Sequence, residues 1–309
     1  MTVSVVGNVN VDLVLRDVED LGQPGSERII ADAAMRVAGA AGTTALALAH
    51  LGSTPRLFGA VGTDLLGSLV LAELAKDSLA SDIVVRGRTG ISVASESPRR
   101  DRSFLTFLGA LATFEYADVP EVAWSADRVI ITGHFLLPLF REGGSAALLD
   151  AARRHHAQTF FDPGPEPDGW TSAGKQEILA LLPLVDVFLP NEEEACSLAG
   201  TDDPVAATRG LAQRSGGWVV TKLGERGAVA ARDGSSGAPV PAPRVRVLDT
   251  AGAGDSFNSG LLHGLEMGRD MVDSVKVALA TASLTVSRPS DSRFPSWEEV
   301  ASLVAQIPG

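Results

Sequence analysis

The chain is short of several things, and each shortage narrows what it can be. Among 309 residues there is one cysteine, Cys196. A disulfide within the chain needs two, so no covalent staple holds the fold and every multi-cysteine zinc pattern is excluded; a lone thiol fits a reducing compartment. Positive charge is scarce as well, with 26 Lys and Arg against 38 Asp and Glu and a formal net charge of −12. Nucleic acid and anionic lipid both demand a broad basic face that displaces counterions, so neither is an expected partner, and only a small local anion site stays open. No apolar run approaches the ~18 residues of a membrane span. Met1 to Gly7 lacks a basic leader region, and Asn8 and Asn10 follow before any signal core could form. The expectation is a soluble, cytoplasmic protein.

What is present is an ordinary globular apolar content of 45%, enough for a large core. Short apolar runs alternate with longer Ala- and Leu-rich stretches, the pattern of strands joined by crossover helices in a largely parallel sheet. Strands are expected at Val3 to Val6, Val129 to Thr132, Thr159 to Asp162, Val185 to Leu189 and Trp218 to Lys222. Helices are expected at Thr43 to Leu51, Leu66 to Lys76, Gly144 to His156, Asn191 to Leu198, Pro204 to Arg214, Gly254 to Met267 and Met271 to Val286. Residues ~11–37 and ~84–115 break the rhythm with short alternating strands and no helical period, and read as an added β element. Within it, Ile91, Val93 and Ser95 and then Phe104, Thr106 and Leu108 flank the turn-like stretch 97–101, a hairpin on the rim of the main sheet.

The stretch Val247-Leu248-Asp249-Thr250-Ala251-Gly252-Ala253-Gly254-Asp255 carries the most chemistry. It reads as a strand end, a loop of small residues and a helix start. Ala251 to Gly254 have little or no side chain, so their backbone N–H groups can approach an anion at a helix N-terminus. Asp255 is then out of place as a mere cap, since a carboxylate beside a phosphate cradle repels the ligand. Phosphoryl transfer resolves the oddity: it needs a carboxylate to take the proton of the attacking hydroxyl and fixed donors for the charge on the transferred group. A Gly-rich turn with an acidic residue favoured by the helix dipole is the structural alternative.

That run resembles the C-terminal signature of the ribokinase-like (pfkB-type) carbohydrate kinases, and the resemblance extends along the chain. It implies a three-layer α/β/α sandwich with a mostly parallel central sheet and a small β-sheet lid, the whole chain 1–309 forming one kinase domain with the lid built from ~11–37 and ~84–115. It also implies an ATP-dependent transfer to a hydroxyl of a small sugar, with Asp255 as base and Gly252, Ala253 and Gly254 as the anion hole. Gly7-Asn8-Val9-Asn10-Val11-Asp12 is similar to the family's first strand end, which gives Asp12, with Asn10 beside it, to the sugar hydroxyls. The run Ala38-Gly39-Ala40-Ala41-Gly42-Thr43 looks like the N-terminal signature and adds Gly39, Gly42 and Thr43 to the acceptor site. Thr43 stands where the family usually has Asn, so the pocket's hydroxyl pattern or depth is expected to differ from that of a ribose site.

Asn191-Glu192-Glu193-Glu194 is similar to the family's Asn-x-x-Glu motif, which assigns Asn191 to the nucleotide and Glu194 to Mg2+ through water. An acidic first turn is also what a helix dipole favours. The turn from Lys222 through Gly224 to Gly227 resembles the family's nucleotide-lining turn, and Ala251 joins that set. The family often holds a monovalent cation between carbonyls near the Asp-Thr pair, here Asp249, and a later Arg-x-Gly-Ala stretch. The matching segment 287–292 lacks the glycine, which leaves K+ dependence open. Asp64 reads as a helix cap and Asp162 with Gly164 as a turn. The five histidines show no metal spacing, no Gly-x-Ser-x-Gly elbow is present, and Gly169 to Lys175 continues with Gln176 where a phosphate-binding loop needs Ser or Thr.

Two other readings stand beside the sugar kinase. A nucleoside acceptor would need a platform for its base, and with aromatics at 5% of residues the candidates near the lid are Phe104, Phe107, Phe114 and Tyr116. A non-catalytic sugar or nucleotide sensor on the same fold would have no use for Asp255. The resemblance further implies a homodimer formed through the lid.

Overall fold

Val3–Gly7 (β1) is five buried residues in succession, which is what a strand covered on both faces requires. Alternate residues feed two separate cores: Val6 packs on one face of the sheet, while Val3 and Val5 pack on the other. The computed structural model describes residues 1–16, 18, 25–97, 100–289 and 292–307. After β1 come Asn10–Arg16 (β2), Asp32–Ala38 (β3), Ala40–His50 (α1), Pro55–Val61 (β4), Leu65–Lys76 (α2), Ala80–Val85 (β5), Ile91–Ser97 (β6) and Arg100–Phe107 (β7). Glu121–Trp124 (α3), Arg128–Thr132 (β8), Ser145–Arg154 (α4), Gln158–Asp162 (β9), Ser172–Leu181 (α5), Val187–Phe188 (β10), Glu192–Ala199 (α6) and Pro204–Ser215 (α7) follow. The chain ends with Trp218–Lys222 (β11), Ala228–Arg232 (β12), Ser235–Ser236 (β13), Ala253–Glu266 (α8), Met271–Val286 (α9) and Trp297–Val304 (α10).

The main sheet has nine strands in the order β13, β12, β11, β10, β9, β8, β1, β4, β5. It is parallel from β11 to β5, with only β12 and β13 antiparallel. Side chains of α1, α2, α8 and α9 fill one core and those of α3 to α7 the other, so helices cover both faces of the sheet. The expected strands and helices are all found, β10 shortened to two ladder residues. Strands β4, β5 and β13 and helices α3, α5 and α10 were not expected. Strand order reverses between β1 and β8, and ligands of open parallel sheets bind outside the carboxyl ends of the strands at such a switch point.

A separate four-stranded sheet has the order β3, β2, β6, β7. The β6–β7 hairpin belongs to this sheet and not to the rim of the main one, which corrects the placement expected from sequence. Turn residues 98 and 99 lie outside the described residues, as do 17 and 19–24 of the first inserted stretch. Val84 and Val85 pair instead with β4 in the main sheet, and Leu111 and Phe114 are buried in its core. Cross-strand register places Asn10, Asp12, Arg36, Ser92, Thr106 and Phe104 on one face and Val11, Leu13, Met35, Val93, Leu105 and Phe107 on the other.

Candidate active site

The C-terminal ends of five neighbouring parallel strands deliver polar residues to one place: Asn8 after β1, Gly133 after β8, Asp162 ending β9, Asn191 after β10 and Lys222 ending β11. The N-terminus of α8 closes over them. Gly252 is its N-cap, at φ 76°, a left-handed conformation that only glycine adopts without strain. A Cβ there would also lie 3.0 Å from the Thr43 methyl and 3.9 Å from Asp255 Oδ2, so the fold brings Thr43, Gly252 and Asp255 together.

The loop's donors are not all free. Ala251 N–H donates to Asp249 Oδ1 at 2.7 Å and Ala253 N–H to the Thr250 carbonyl at 3.3 Å. The N–H groups of Gly252 and Gly254 have no acceptor among the described residues, and these are the donors an anion can use. Asp255 stands in the first turn of α8, with part of its surface open to the cleft. Enclosure by protein and the nearby Asp162 carboxylate push its carboxyl up to about 7, with Lys222 and Arg293 pulling the other way.

Asp162 is the main functional residue that sequence reading passed over. Its turn with Gly164 is present, Gly164 N–H reaching Oδ1 at 3.2 Å. Its Oδ2, however, accepts from Lys222 Nζ at 2.7 Å and from Asn258 Nδ2 at 2.6 Å. Lys222 is thus held by a counterion while its ammonium lies 3.5 Å from where a Cβ on Gly254 would be, directly against the anion loop. Burial works against its charge, but Asp162 and Glu194 outweigh it and raise the lysine's affinity for its proton. A signal was available in the sequence, because a carboxylate closing a parallel strand points into the cleft.

Asn191 caps α6 in a reciprocal box with Glu194: Glu194 N–H donates to Asn191 Oδ1 at 2.9 Å, and Asn191 N–H and Nδ2 donate to the two Glu194 oxygens at 2.8 Å each. Glu194 is buried, and burial with Asp162 nearby raises its pKa. Each of its oxygens keeps a second lone pair for a water, the way Mg2+ is commonly approached. Gly224 and Gly227 bracket a short 3-10 turn between β11 and β12, Leu223 N–H donating to the Gly227 carbonyl at 2.8 Å.

On the second sheet a relay of amides aims Asp12. Asn8 Nδ2 donates to Asn10 Oδ1 at 3.0 Å and Asn10 Nδ2 to Asp12 Oδ1 at 2.9 Å, both asparagines being buried. Asn10 therefore orients Asp12, and Asn8, unassigned from sequence, orients Asn10. Gly39 is required by this relay: at φ 86°, its Cβ would fall 2.3 Å from the Asn8 carbonyl and 2.7 Å from Asn10 Oδ1. A Cβ on Gly42 would make only ordinary contact with Val9 at 3.6 Å. Asp64 is a helix cap, accepting from Gly67 N–H at 3.0 Å.

Two arginines complete the site without having been foreseen. Arg36 on β3 donates from Nη1 to Asp249 Oδ2 at 2.9 Å and holds Nε 3.8 Å from Asp12 Oδ2. Arg293 is buried, with Nη1 3.6 Å from the Cβ position of Gly252; burial and Arg36 lower its pKa to about 10. Of the aromatic candidates, Phe114 stacks on Phe140 in the core and Tyr116 on Trp124. Both are removed as platforms for a base. Phe107 lies on the face of the second sheet opposite Asp12, and Phe104 on the same face as Asp12.

The pattern of the pfkB family carbohydrate kinases matches residues 2–298. The chain belongs to this family. It is a carbohydrate kinase, and its fold is the ribokinase-like one. It is 29% identical over 286 residues to 2-dehydro-3-deoxygluconokinase of Bacillus subtilis, covering 87% of this chain and 86% of that one. It is 24% identical over 312 residues to the ribokinase of Lactococcus lactis, with 99% and 97% covered. Among solved structures, an Escherichia coli protein provisionally called ribokinase II, in complex with ATP and Mg2+, superposes with a TM-score of 0.83 at 20% identity over 99% of both chains. Among the described residues, this carbohydrate kinase has no helix long and apolar enough to cross a membrane.

Proposed function

We propose that this carbohydrate kinase transfers the γ-phosphoryl group of ATP to a hydroxyl of a small sugar or sugar derivative, with Asp255 as general base. The observation that carries this reading is Asp255 itself, a carboxyl with a pKa of about 7 in the first turn of a helix at whose start the Gly252 and Gly254 N–H groups have no acceptor among the described residues. Asp12, held by Asn10, accepts from the acceptor's hydroxyls, and Gly39, Gly42 and Thr43 form the adjoining wall. Gly252 and Gly254 donate to the transferred group, and Asn191, Lys222 and the Gly224 to Gly227 turn adjoin the nucleotide. Bound Mg-ATP supplies the phosphoryl group and a metal that offsets phosphate charge, with Glu194 placed to hold water on that metal.

A coupled assay of ADP release with Mg-ATP and a panel of aldoses, ketoses, sugar acids and nucleosides tests the reading. The names of the relatives put deoxy sugar acids and ribose on that panel. Release with a sugar or sugar acid is expected; nucleotide binding without release across the panel would favour the sensor. With Phe114 in the core and Tyr116 stacked on Trp124 at its edge, a nucleoside is the weaker acceptor.

Because the base works as a carboxylate and its pKa is raised to about 7, kcat/KM should fall as pH drops through 7, approaching one decade per pH unit. A rate flat from pH 8 to pH 5.5 would remove Asp255 from the role.

In this reading the second sheet acts as a lid, with its Asp12 face toward the acceptor. On the other face, Met35, Leu105 and Phe107 are exposed beside Leu13 and Val93, an apolar surface suited to a second copy's lid. Light scattering should give a dimer, and Leu105→Glu a monomer. A monomeric wild type would overturn this arrangement.

A further inference from the structure

The family resemblance implies a monovalent cation beside the anion loop, and the residues present do not fit one. Asp249, the carboxylate that would help hold it, has Oδ2 on Arg36 Nη1 at 2.9 Å and Oδ1 on the Ala251 N–H at 2.7 Å. Arg293 brings a second guanidinium to the same place. Its Nη1 is 3.6 Å from the Cβ position of Gly252, with Asp255 Oδ2 3.9 Å from that same point, and its Nη2 reaches the Val37 carbonyl at 3.4 Å, next in the chain to Arg36. The Arg36 Nε is buried with no hydrogen-bond partner.

Arg36 is paired with Asp12 and Asp249, while Arg293 feels the favourable charges of Asp255, Asp12 and Asp249 and the opposing one of Arg36. Resonance keeps both charged at any pH at which the enzyme works. A free cation entering here would meet two fixed positive charges and would have to share Asp249 with Arg36.

We propose that Arg36 and Arg293 are a built-in cation pair that takes the place of the monovalent ion, positioning Asp249, the Gly252 turn and Asp255 so that turnover does not depend on K+. The inference rests on the phosphoryl-transfer reading, and Arg36, carried on β3, ties the second sheet to the anion loop. Both arginines act through the loop and Asp255 and are positioning residues.

The first test needs no acceptor. Thallium-205 NMR and thermal unfolding of the protein in KCl against choline chloride at equal ionic strength should show no ion binding and no K+-specific stabilisation; either effect would overturn the proposal. The second uses an acceptor from the panel. Wild-type kcat should agree within twofold between K+ and tetramethylammonium, and fivefold activation by K+ would overturn the proposal. Arg293→Met should lower kcat at least tenfold with the ATP Kd unchanged, while Arg293→Lys, which keeps the charge, should recover at least half the wild-type rate. Equal loss in both variants, or none in either, would rule out the charge role. If no acceptor is phosphorylated, the catalytic reading fails while the ion-binding result still decides this one.

Discussion

Asp255→Asn should lower turnover by about 10²–10⁴-fold, the usual contribution of a general base, while the ATP Kd changes by less than threefold. The amide keeps the shape of the side chain and the helix start, so Gly252 and Gly254 still present their N–H groups. What it loses is the ability to take a proton from the acceptor hydroxyl as the phosphoryl group leaves ATP. The same substitution should stabilise the fold at alkaline pH. The Asp255 carboxyl titrates near 4 in the unfolded chain and at about 7 in the folded one, because enclosure and Asp162 penalise its charge. Folding therefore binds a proton, and the charge costs stability that grows from about pH 4 and levels off above 7. Asparagine removes that cost, so the gain in unfolding midpoint should be larger at pH 8 than at pH 5. Coupled ADP release, calorimetric titration with ATP and thermal unfolding at the two pH values measure the three effects. Unchanged turnover would remove Asp255 from catalysis, and a midpoint lowered at pH 8 would show that its charge is better compensated than its neighbours indicate.

Much of this site was legible because its parts are local in sequence. The run Asp249 to Asp255 places loop, N-cap and the carboxylate proposed as base within seven residues, and Asn191 to Glu194 closes a capping box at a fixed spacing of three. Backbone demands are similarly local. Gly39 and Gly252 adopt positive φ and stand at motif positions, so the sequence showed where chain must approach chain closely. Strands of the parallel sheet showed themselves as apolar runs, since helices cover both faces. Strands β4 and β5 did not, because Pro55-Arg56 opens the first and Ser81-Asp82 lies inside the second, giving edge-like polarity to segments that pair with β1 and with each other.

The counter-charges were not legible. Asp162 meets Lys222 across 60 positions, Arg36 meets Asp249 across 213, and Arg293 reaches Val37 across 256. No periodicity connects such residues, and each taken singly reads as a turn carboxylate, a strand-edge arginine or a loop arginine. Only the topology, which brings the carboxyl ends of β9 and β11 to the start of α8, makes them partners. The same holds for Phe114 and Tyr116, which sequence placed near the lid; the fold stacks Phe114 into the core and Tyr116 on Trp124 against it. Composition explains why these pairings matter. A chain of net charge −12 gathers Asp162, Glu194 and Asp255 in one cluster, and Lys222 lies among them.

Lys222→Met should accordingly destabilise the protein by about 3–5 kcal/mol at pH 8, the usual consequence of leaving a buried carboxylate without its partner. Asp162 would keep the Asn258 bond, which does not neutralise its charge. The loss should be smaller at pH 5.5. Glu194 and Asp255 both have raised pKa values, so below 7 they carry protons in the folded state and need the lysine less. At pH 8 they are ionised, and Lys222 then offsets three carboxylates together. Adding Asp162→Asn to Lys222→Met should recover part of the lost stability, since it neutralises one of the three carboxylates left without the lysine's charge. Urea unfolding of the nucleotide-free protein at both pH values reads the effect, and equal loss at the two would show that only the Asp162 pair matters. Lys222 also lies against Gly254, so ATP affinity should fall in the single variant and should not return in the double one. A double variant that regained both stability and ATP binding would confine Lys222 to holding Asp162 and take it out of the nucleotide site.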